Sequence, residues 1–466
     1  MFIKKFVLRA AGASLAAVAL LTAQPLRAAS SSETARLEKL ERAVELLEKQ
    51  NAELRAEINS MKTKQAAYPP EGKLKKKVIY DGKTYVEKAV VEEEKLPVYV
   101  QQRGPELKLV LGGFIQANFE DGDVSAFEGR FGQTALKDRF RLRRARINLT
   151  GDFAEQFDFK IEGDFESSDG LNSSRTAFEG TDIFVNWHQF PWAQIKVGQW
   201  KAPFGLEQTT PDTSLYIIER SLPTGAITPE RQLGIQLWGK PLASIWPEQK
   251  DLLTYYAGIF NGNGRNITNN DNNNFMYMGR LESTLFKSKM WGESYLKLGA
   301  DVLNSRDDAG TNISQTLNLK VNADGSLSPF TLPTAAERTA WSLDAWLRLG
   351  RFDLIGEYLE EYVNGRTVNG VPGMPDFTTN GYYITAGYFL IPKKLQLAVQ
   401  WQDLNPGQKG NDGIRSITGG LNYYIHGDDI KLMVNYIHTW SDFREAHPEF
   451  GDDQFDEVIG RVQLMF

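Results

Sequence analysis

The 466-residue sequence contains no cysteine and only four histidines. Without cysteine the chain can form no disulfide framework, no thiolate nucleophile and no cysteine-ligated metal site. The histidines are scattered, and none has the His-x-x-x-His or His-Glu-x-x-His spacing of a zinc site. A Gly-x-Ser-x-Gly nucleophile elbow and a phosphate-binding loop are also absent. We therefore expect neither an enzyme nor a cofactor.

Long apolar runs are also missing. After the first thirty residues there is no stretch of about 18 apolar residues, so no membrane-spanning helix is predicted. A transmembrane β-barrel remains compatible with this absence, because its strands alternate in polarity and never produce such a run. The 41 glycines and 26 phenylalanines suit a barrel, although they would suit a soluble β-rich enzyme equally well.

The first 28 residues have the pattern of a secretory signal peptide. Lys4 and Lys5 precede an apolar stretch from Leu15 to Ala23, and small residues follow it. Cleavage is predicted after Ala23 or Ala28, and an uncleaved membrane anchor is the alternative. The pattern predicts an exported protein.

Residues 33–62 carry a heptad repeat. Apolar side chains alternate at spacings of three and four, with Asn51 at one a position, where a buried amide fixes register and strand number. The eight a and d residues are Leu37, Leu40, Val44, Leu47, Asn51, Leu54, Ile58 and Met61. We predict an α-helical coiled coil in the periplasm, and hence an oligomer; a lone solvated helix is the alternative.

Residues 63–106 are predicted to be a linker or stalk. Charge runs and prolines, such as Lys75 to Lys77, Glu92 to Glu94 and Pro97, favour an extended connection. The valines and tyrosines between them would also permit a short hairpin.

From residue 107 onward, segments of alternating polarity recur. The candidate strands are 108–120, 138–151, 156–167, 180–190, 193–201, 231–240, 251–262, 274–286, 293–304, 339–350, 352–363, 380–391, 394–405, 414–426, 429–441 and 455–466. Their number, sixteen, is even, as bacterial barrels require. Tight links such as Leu349-Gly350-Arg351 alternate with long polar ones such as 304–338. We predict an all-β fold, a 16-stranded antiparallel transmembrane β-barrel over residues 107–466, with periplasmic turns and external loops.

Two candidate strands carry charge that a buried sheet would not tolerate. Residues 157–166 place Lys160 and four carboxylates on one face, so that face is expected to line water. The preceding strand holds Arg141, Arg143, Arg144 and Arg146. Because Arg143 and Arg144 are adjacent, either a bulge re-aims the strand or one subset faces a neighbouring subunit. Guanidinium groups in a pore would attract anions; pairing with the carboxylates of the next strand is the alternative.

The link over residues 202–229 is long and unusually apolar at residues 215–218. An external loop that folds inward and narrows a pore would bury these side chains. The flanking Lys201, Arg220 and Arg231 would then stand at the constriction.

Four segments resemble the phosphate-selective porin O and P family: RRAR at 143–146, GQWKAPFGLE at 198–207, IERS at 218–221 and PERQLGIQLWG at 229–239. The resemblance covers residues 107–466. It implies a trimeric outer-membrane channel whose lumen carries arginines and whose third loop narrows the pore. The family's phosphate-selective members share a lysine cluster on that loop, whereas residues 202–229 contain no lysine. The resemblance therefore leaves phosphate selectivity open.

We accordingly predict an outer-membrane porin through which small hydrophilic solutes diffuse passively, with a preference for anions such as phosphate left open. The alternative function is a barrel anchor whose coiled coil binds a periplasmic partner or the cell wall. The expected partners are two further copies of the chain in a homotrimer, outer-membrane lipid and lipopolysaccharide, and small solutes or inorganic anions. No nucleic acid is expected, because acidic residues outnumber basic ones and the net charge is −6. The pore-lining candidates are Arg141, Arg143, Arg146, Lys160, Lys201, Arg220 and Arg231.

Overall fold

A computed structural model describes residues 74–80, 85–91, 98–100, 107–122, 138–165, 178–288, 292–311, 313, 319–321, 327–329, 331–408, 410, 412–446, 448 and 452–466, with the segments between 74 and 100 and between 319 and 329 described as backbone only. The chain divides into two units, residues 1–96 and 97–466. The predicted coiled coil over 33–62 and the predicted signal peptide lie outside the described residues.

The second unit is a closed antiparallel barrel, and its sixteen long strands confirm the predicted number. These strands are β4 (Leu107–Gly122), β5 (Arg139–Phe153), β6 (Phe157–Asp164), β7 (Glu179–Phe190), β8 (Ala193–Lys201), β9 (Arg231–Gly239), β10 (Thr254–Phe260), β11 (Met276–Ser288), β12 (Ser294–Asp307), β15 (Ala336–Leu349), β16 (Phe352–Gly365), β17 (Phe377–Ile391), β18 (Leu395–Asn405), β19 (Ile414–His426), β20 (Ile430–Ser441) and β21 (Gln454–Met465). Strand β21 closes the ring against β4, with Met465 opposite Phe114. A three-residue strand, β3 (Val98–Val100), pairs with the start of β4.

Burial along the strands is the inverse of that in a water-soluble sheet. In β19 the buried side chains include Ser416, Thr418 and Asn422, whereas Leu421 and Tyr423 on the opposite face are exposed. The same inversion holds in β21, where Val462 is 54% exposed and Gln463 is fully buried. An apolar outer face and a polar inner face are what a lipid-embedded barrel requires.

Aromatic residues collect on the outer face near the strand ends, as in the girdles of membrane barrels. At the end that carries the long loops, Trp401 and Trp440 lie 5.9 Å apart between ring centroids. His438 packs edge-on against Trp440 and bonds to Asp456 at 2.7 Å. None of the helices in the described part of the chain is long and apolar enough to cross a membrane.

Short and long connections alternate around the barrel. Tight links join β5 to β6, β7 to β8, β15 to β16, β17 to β18 and β19 to β20, as the sequence predicted. The β9–β10 link is longer and contains two short 3-10 helices, Pro241–Ala243 and Pro247–Gln249. Within the long links lie the helices Leu206–Thr209, Leu222–Ile227 and Asp442–Ala446 and the small strands β13 (Leu319–Val321) and β14 (Leu327–Pro329).

In the first unit, β1 (Leu74–Tyr80) and β2 (Tyr85–Val91) pair as an antiparallel hairpin. Part of the segment predicted as a linker is therefore regular structure. Valine, isoleucine and tyrosine, which favour strands, outweigh the lysines between them.

Candidate functional site

The connection from β8 to β9, residues 202–230, folds into the barrel as predicted, and we call it the lumen loop. Most of its side chains are buried; Phe204 and Ile218, for example, have no exposed surface. Near its start, Gly205 has a φ of 82° and would place a Cβ 2.8 Å from Oε1 of Glu357 on β16. Glycine is therefore needed for the chain to turn inward close to the wall.

Polar side chains of the wall hold the lumen loop near its start and at its middle. Near its start, the backbone N–H groups of Leu206 and Glu207 donate to the Glu357 carboxylate at 2.9 and 3.2 Å. Further along, the N–H of Ile218 donates to Asn435 on β20 at 2.7 Å, and Arg461 on β21 donates to the Ile218 carbonyl at 2.7 Å. The loop thus contacts strands far from the two it connects.

An apolar cluster lies beneath the loop on the β8–β11 side. It includes Trp200, Phe204, Ile227, Phe260 and Met276, all nearly or completely buried. The rings of Trp200 and Phe260 pack with their centroids 5.4 Å apart. Burial of these apolar side chains stabilises the inward position of the loop through the hydrophobic effect, in addition to the hydrogen bonds.

Asp212 of the lumen loop is the centre of one ion-pair cluster. Its carboxylate lies 2.6 Å from Nη1 of Arg146, 3.6 Å from Nε of Arg144 and 3.5 Å from Nζ of Lys201, and it also bonds to Arg220. Burial by itself would raise the pKa of Asp212. The surrounding cations outweigh that effect and hold the pKa well below its ordinary value, so Asp212 is ionised at neutral pH.

Glu219 is the centre of a second cluster. It accepts both donors of a forked pair from Arg143 at 3.0 and 3.1 Å and a third from Arg461 at 2.7 Å. Burial opposes ionisation, yet these guanidinium groups hold the pKa of Glu219 far below its ordinary value.

A bulge in β5 explains how adjacent arginines reach the lumen together. Gln116 of β4 pairs with Arg144 and the next residue, Ala117, pairs with Leu142, so Arg143 is the extra residue. This confirms the bulge, one of the two arrangements that the sequence left open. The bulge directs Arg143 to Glu219 while Arg144 and Arg146 reach Asp212.

Two of the remaining candidates, Lys160 and Arg231, also lie against carboxylates. Lys160 contacts Glu162 at 2.8 Å and Asp182 at 3.0 Å. Arg231 donates to Asp182 at 2.7 Å. Arg141 is half-buried and opposite Asn118 on β4. Six of the candidates lie in ion pairs: Arg143, Arg146, Lys160, Lys201, Arg220 and Arg231. Their function in permeation stays a prediction.

Two buried ion-pair groups brace the wall on the side of β11 to β16. Arg280 on β11 lies 2.6 Å from Asp301 and 2.8 Å from Asp344. Arg338 on β15 lies 2.6 Å from Asp307 and 3.0 Å from Glu361. Sequence inspection missed these residues because each partner is on another strand.

Two lumen lysines were also missed. Lys196 lies 4.4 Å from the ring centroid of Phe184 and 5.7 Å from that of Trp238. Lys297 lies 5.0 Å from the ring of Tyr295. Among the described residues neither lysine lies in an ion pair. Each stands between two apolar residues of a strand, an alternation that would have marked both as lumen-facing.

Sequence comparison decides the family. The profile of the family described as phosphate-selective porin O and P matches residues 112–466. The chain belongs to this family. No curated protein sequence matches the chain.

Several solved structures have a similar fold. OmpT, an outer membrane protein of Vibrio cholerae solved in a trimer form, is 9% identical with a TM-score of 0.51, over 77% of this chain and 99% of that one. The outer membrane channel DcaP of Acinetobacter baumannii is 13% identical with a TM-score of 0.51, over 80% of this chain and 100% of that one. At these identities the likeness concerns the fold alone.

The porin family, the closed barrel and the inverted burial together make this protein an outer-membrane channel. Its family and fold are those of a channel rather than of an enzyme. Among the described residues, no group of three or more histidine or acidic side chains is arranged to hold a metal ion.

Proposed function

We propose that this porin is a trimeric channel for passive diffusion of small hydrophilic solutes, and that its constriction is balanced in charge rather than selective for phosphate. The observation that carries the proposal is that the arginines around the lumen loop are paired with carboxylates. These arginines are Arg143, Arg146, Arg220 and Arg231. A paired guanidinium offers a passing phosphate less net charge and fewer free donors than an unpaired one.

The loop leaves part of the lumen open. On the half of the barrel near the tight turns, inward-facing Trp238, Tyr256 and Glu282 are partly exposed and Lys297 is exposed. The inner wall there is polar and charged, which suits hydrated solutes. Passive diffusion is consistent with this wall.

Trimer formation and orientation are part of the same proposal. The OmpT structure with a similar fold is a trimer form, and the heptads over 33–62 favour association of several chains. We place the coiled coil in the periplasm, residues 63–106 as the link to the barrel, and the tight turns on the periplasmic side. The outer face would contact lipid, lipopolysaccharide and neighbouring subunits.

Planar-bilayer recording of the full-length trimer tests the proposal. We expect ohmic channels, a reversal potential close to zero in a KCl gradient, and no block of chloride current by millimolar inorganic phosphate. Absence of conductance would overturn the channel function. Strong block by phosphate would overturn the balanced constriction while leaving the channel in place.

Deleting residues 33–62 separates the porin from the anchor alternative. In a porin, conductance survives the deletion while the trimer is weakened, which cross-linking would detect. Loss of envelope attachment with no change in solute uptake by cells would favour the anchor.

A further inference from the structure

A furrow lies on the outer face of the barrel, across strands β9 to β12. Its cavity volume is about 650 Å³, within the range of small-molecule binding sites. Its wall is mostly apolar, and the outward-facing residues that line it include Ile235, Leu237, Ala257, Ile259, Gly279 and Val302. Ile235 and Val302 are 46% and 62% exposed, so the furrow opens toward the lipid and not toward the lumen.

Two small residues form the floor of the furrow. Ala257 of β10 pairs with Gly279 of β11, and the larger Leu237 and Val302 stand beside them in the same row. The φ of Gly279 lies outside the left-handed region, and an added Cβ would come no closer than 3.5 Å to a heavy atom beyond its chain neighbours. Neither the backbone nor the available space therefore requires glycine here. A glycine in a strand interior weakens the strand and often marks the close approach of a ligand.

The outer face changes from apolar to charged along β12. Val302, Asn304 and Arg306 follow one another on this face, and four residues of a strand span about 13 Å. Tyr277, which pairs with Asn304, is 52% exposed, and tyrosine is typical of the level where a membrane meets water. The furrow thus begins near the headgroup level and continues into the apolar layer, as the headgroup and acyl chain of a lipid do.

Arg306 lies at the loop end of this face, and its side chain is 49% exposed. Its Nε is 3.7 Å from Oε2 of Glu337. A guanidinium group has five N–H donors, so Arg306 can contact Glu337 and a phosphate oxygen at the same time. The chemistry at this end of the furrow therefore suits a phosphorylated lipid.

From these features we propose that the furrow binds one acyl chain of lipopolysaccharide and that Arg306 binds a phosphate group of its lipid A part. The long loops are external in the proposed function, and lipopolysaccharide is the phosphorylated lipid of the external leaflet. The site would hold one lipid molecule on each subunit. This inference rests on the proposed function, which sets the orientation, and deepens it by locating a partner.

Native mass spectrometry of the full-length trimer in detergent micelles, with purified lipid A as the probe, tests the furrow. We expect the wild type to retain one lipid A molecule per subunit. Gly279→Leu should lower retention about tenfold, because the new side chain fills the floor and about two methylene groups of the acyl chain lose their contact. Gly419→Leu is the matched control and should leave retention unchanged. Gly419 also faces outward, on β19, and an added Cβ there would meet nothing within 4 Å.

Arg306→Gln tests the headgroup end independently of the furrow floor. It should lower retention of lipid A about tenfold, as expected for loss of a hydrogen bond to a charged group, and should not change retention of fully dephosphorylated lipid A. Arg306→Lys should restore most of the loss. Arg415→Gln is the matched control, because Arg415 also faces outward at the loop end of its strand and is paired with a carboxylate, that of Asp442, at 2.9 Å. Each variant should conduct like the wild type in planar bilayers, which would show an intact barrel.

Four results would overturn the site: equal retention in Gly279→Leu and Gly419→Leu, equal retention in Arg306→Gln and Arg415→Gln, retention of phosphatidylglycerol as strong as that of lipid A, or dissociation of the Gly279→Leu trimer with lipid retention unchanged. The third result would assign the furrow to another lipid, and the fourth would assign it to a neighbouring subunit. Failure of the proposed function would differ from all four, because the wild-type trimer would then give no current in planar bilayers.

Discussion

Arg461 on the last barrel strand reaches Glu219 on the lumen loop, with Nη2 of the arginine 2.7 Å from Oε1 of the glutamate. Another nitrogen of the same guanidinium donates to the Ile218 carbonyl at 2.7 Å. One side chain therefore neutralises a carboxylate of the loop and also holds the loop backbone in place. Changes to this contact should alter selectivity and loop attachment together.

Glu219→Gln should make the channel prefer anions. The substitution removes one negative charge while Arg143 and Arg461 remain, and loss of a buried charged partner costs about 3–5 kcal/mol. The reversal potential in a KCl gradient should move toward that of chloride, with noisier open-channel current. Glu248→Gln, in an exposed turn, is the control. An unchanged reversal potential in the Glu219 variant would contradict the balanced constriction.

Arg231→Gln should shift selectivity in the opposite direction. Asp182, its partner at 2.7 Å, would keep the contact with Lys160 but lose the guanidinium group. The reversal potential should then move toward that of potassium. If Arg231 instead acted as an unpaired anion site, its loss would lower chloride conductance without creating a cation preference. Measuring both conductance and reversal potential distinguishes a paired Arg231 from an unpaired one.

The lumen loop should stay attached to the wall until the pH falls below the usual pKa range of carboxyl groups. The pKa values of Asp212 and Glu219 are depressed in the folded channel. These two carboxylates therefore stabilise the folded loop fully at pH values above their pKa in the unfolded chain, about 4. This stabilisation is lost as the pH falls through their pKa values in the folded channel. Selectivity and current noise should stay constant from pH 7 to about 5 and change only below about pH 4. A transition near pH 6 would show that other groups control the loop.

Gly205→Ala should loosen the start of the loop. The residue has a φ of 82°, and an added Cβ would also approach Thr228 at 3.0 Å. We expect a cost of about 1–3 kcal/mol, visible as a lower temperature for unfolding of the trimer and as added current noise. Gly264→Ala is the matched control, because Gly264 has a φ of 96° but nothing within 4 Å of the added Cβ. An equal effect of both substitutions would mean that backbone strain alone is responsible.

The sequence predicts the barrel well because the alternation of polar and apolar residues can be recognised within each strand, without knowing its neighbours. Leu421 and Asn422, adjacent in β19, face opposite sides of the wall as period-two patterning requires. The inward course of the loop was also predictable, since Leu215 and Ile217 are too apolar for an exposed connection. The adjacency of Arg143 and Arg144 was enough to raise the possibility of a bulge.

The ion-pair partners could not be predicted in this way. Arg461 and Glu219 are 242 residues apart, and no periodicity connects them. Which arginine meets Asp212 depends on the bulge register and on where the loop lies. The sequence accordingly identified most of the basic residues around the lumen loop, but neither Arg461 nor the loop carboxylates Asp212 and Glu219. It left open whether the basic residues face anions or carboxylates.

The clamping of the lumen loop has a consequence for the electrical behaviour of the channel. A transmembrane voltage pulls the loop carboxylates Asp212 and Glu219 and the wall guanidinium groups that hold them in opposite directions. A charge that crosses the whole field gains about 2.3 kcal/mol per 100 mV, whereas separating a buried pair costs about 3–5 kcal/mol. A loop held near its start and at its middle moves through only a fraction of the field. Ordinary membrane potentials should therefore leave it in place, and the current should rise in proportion to voltage without gating.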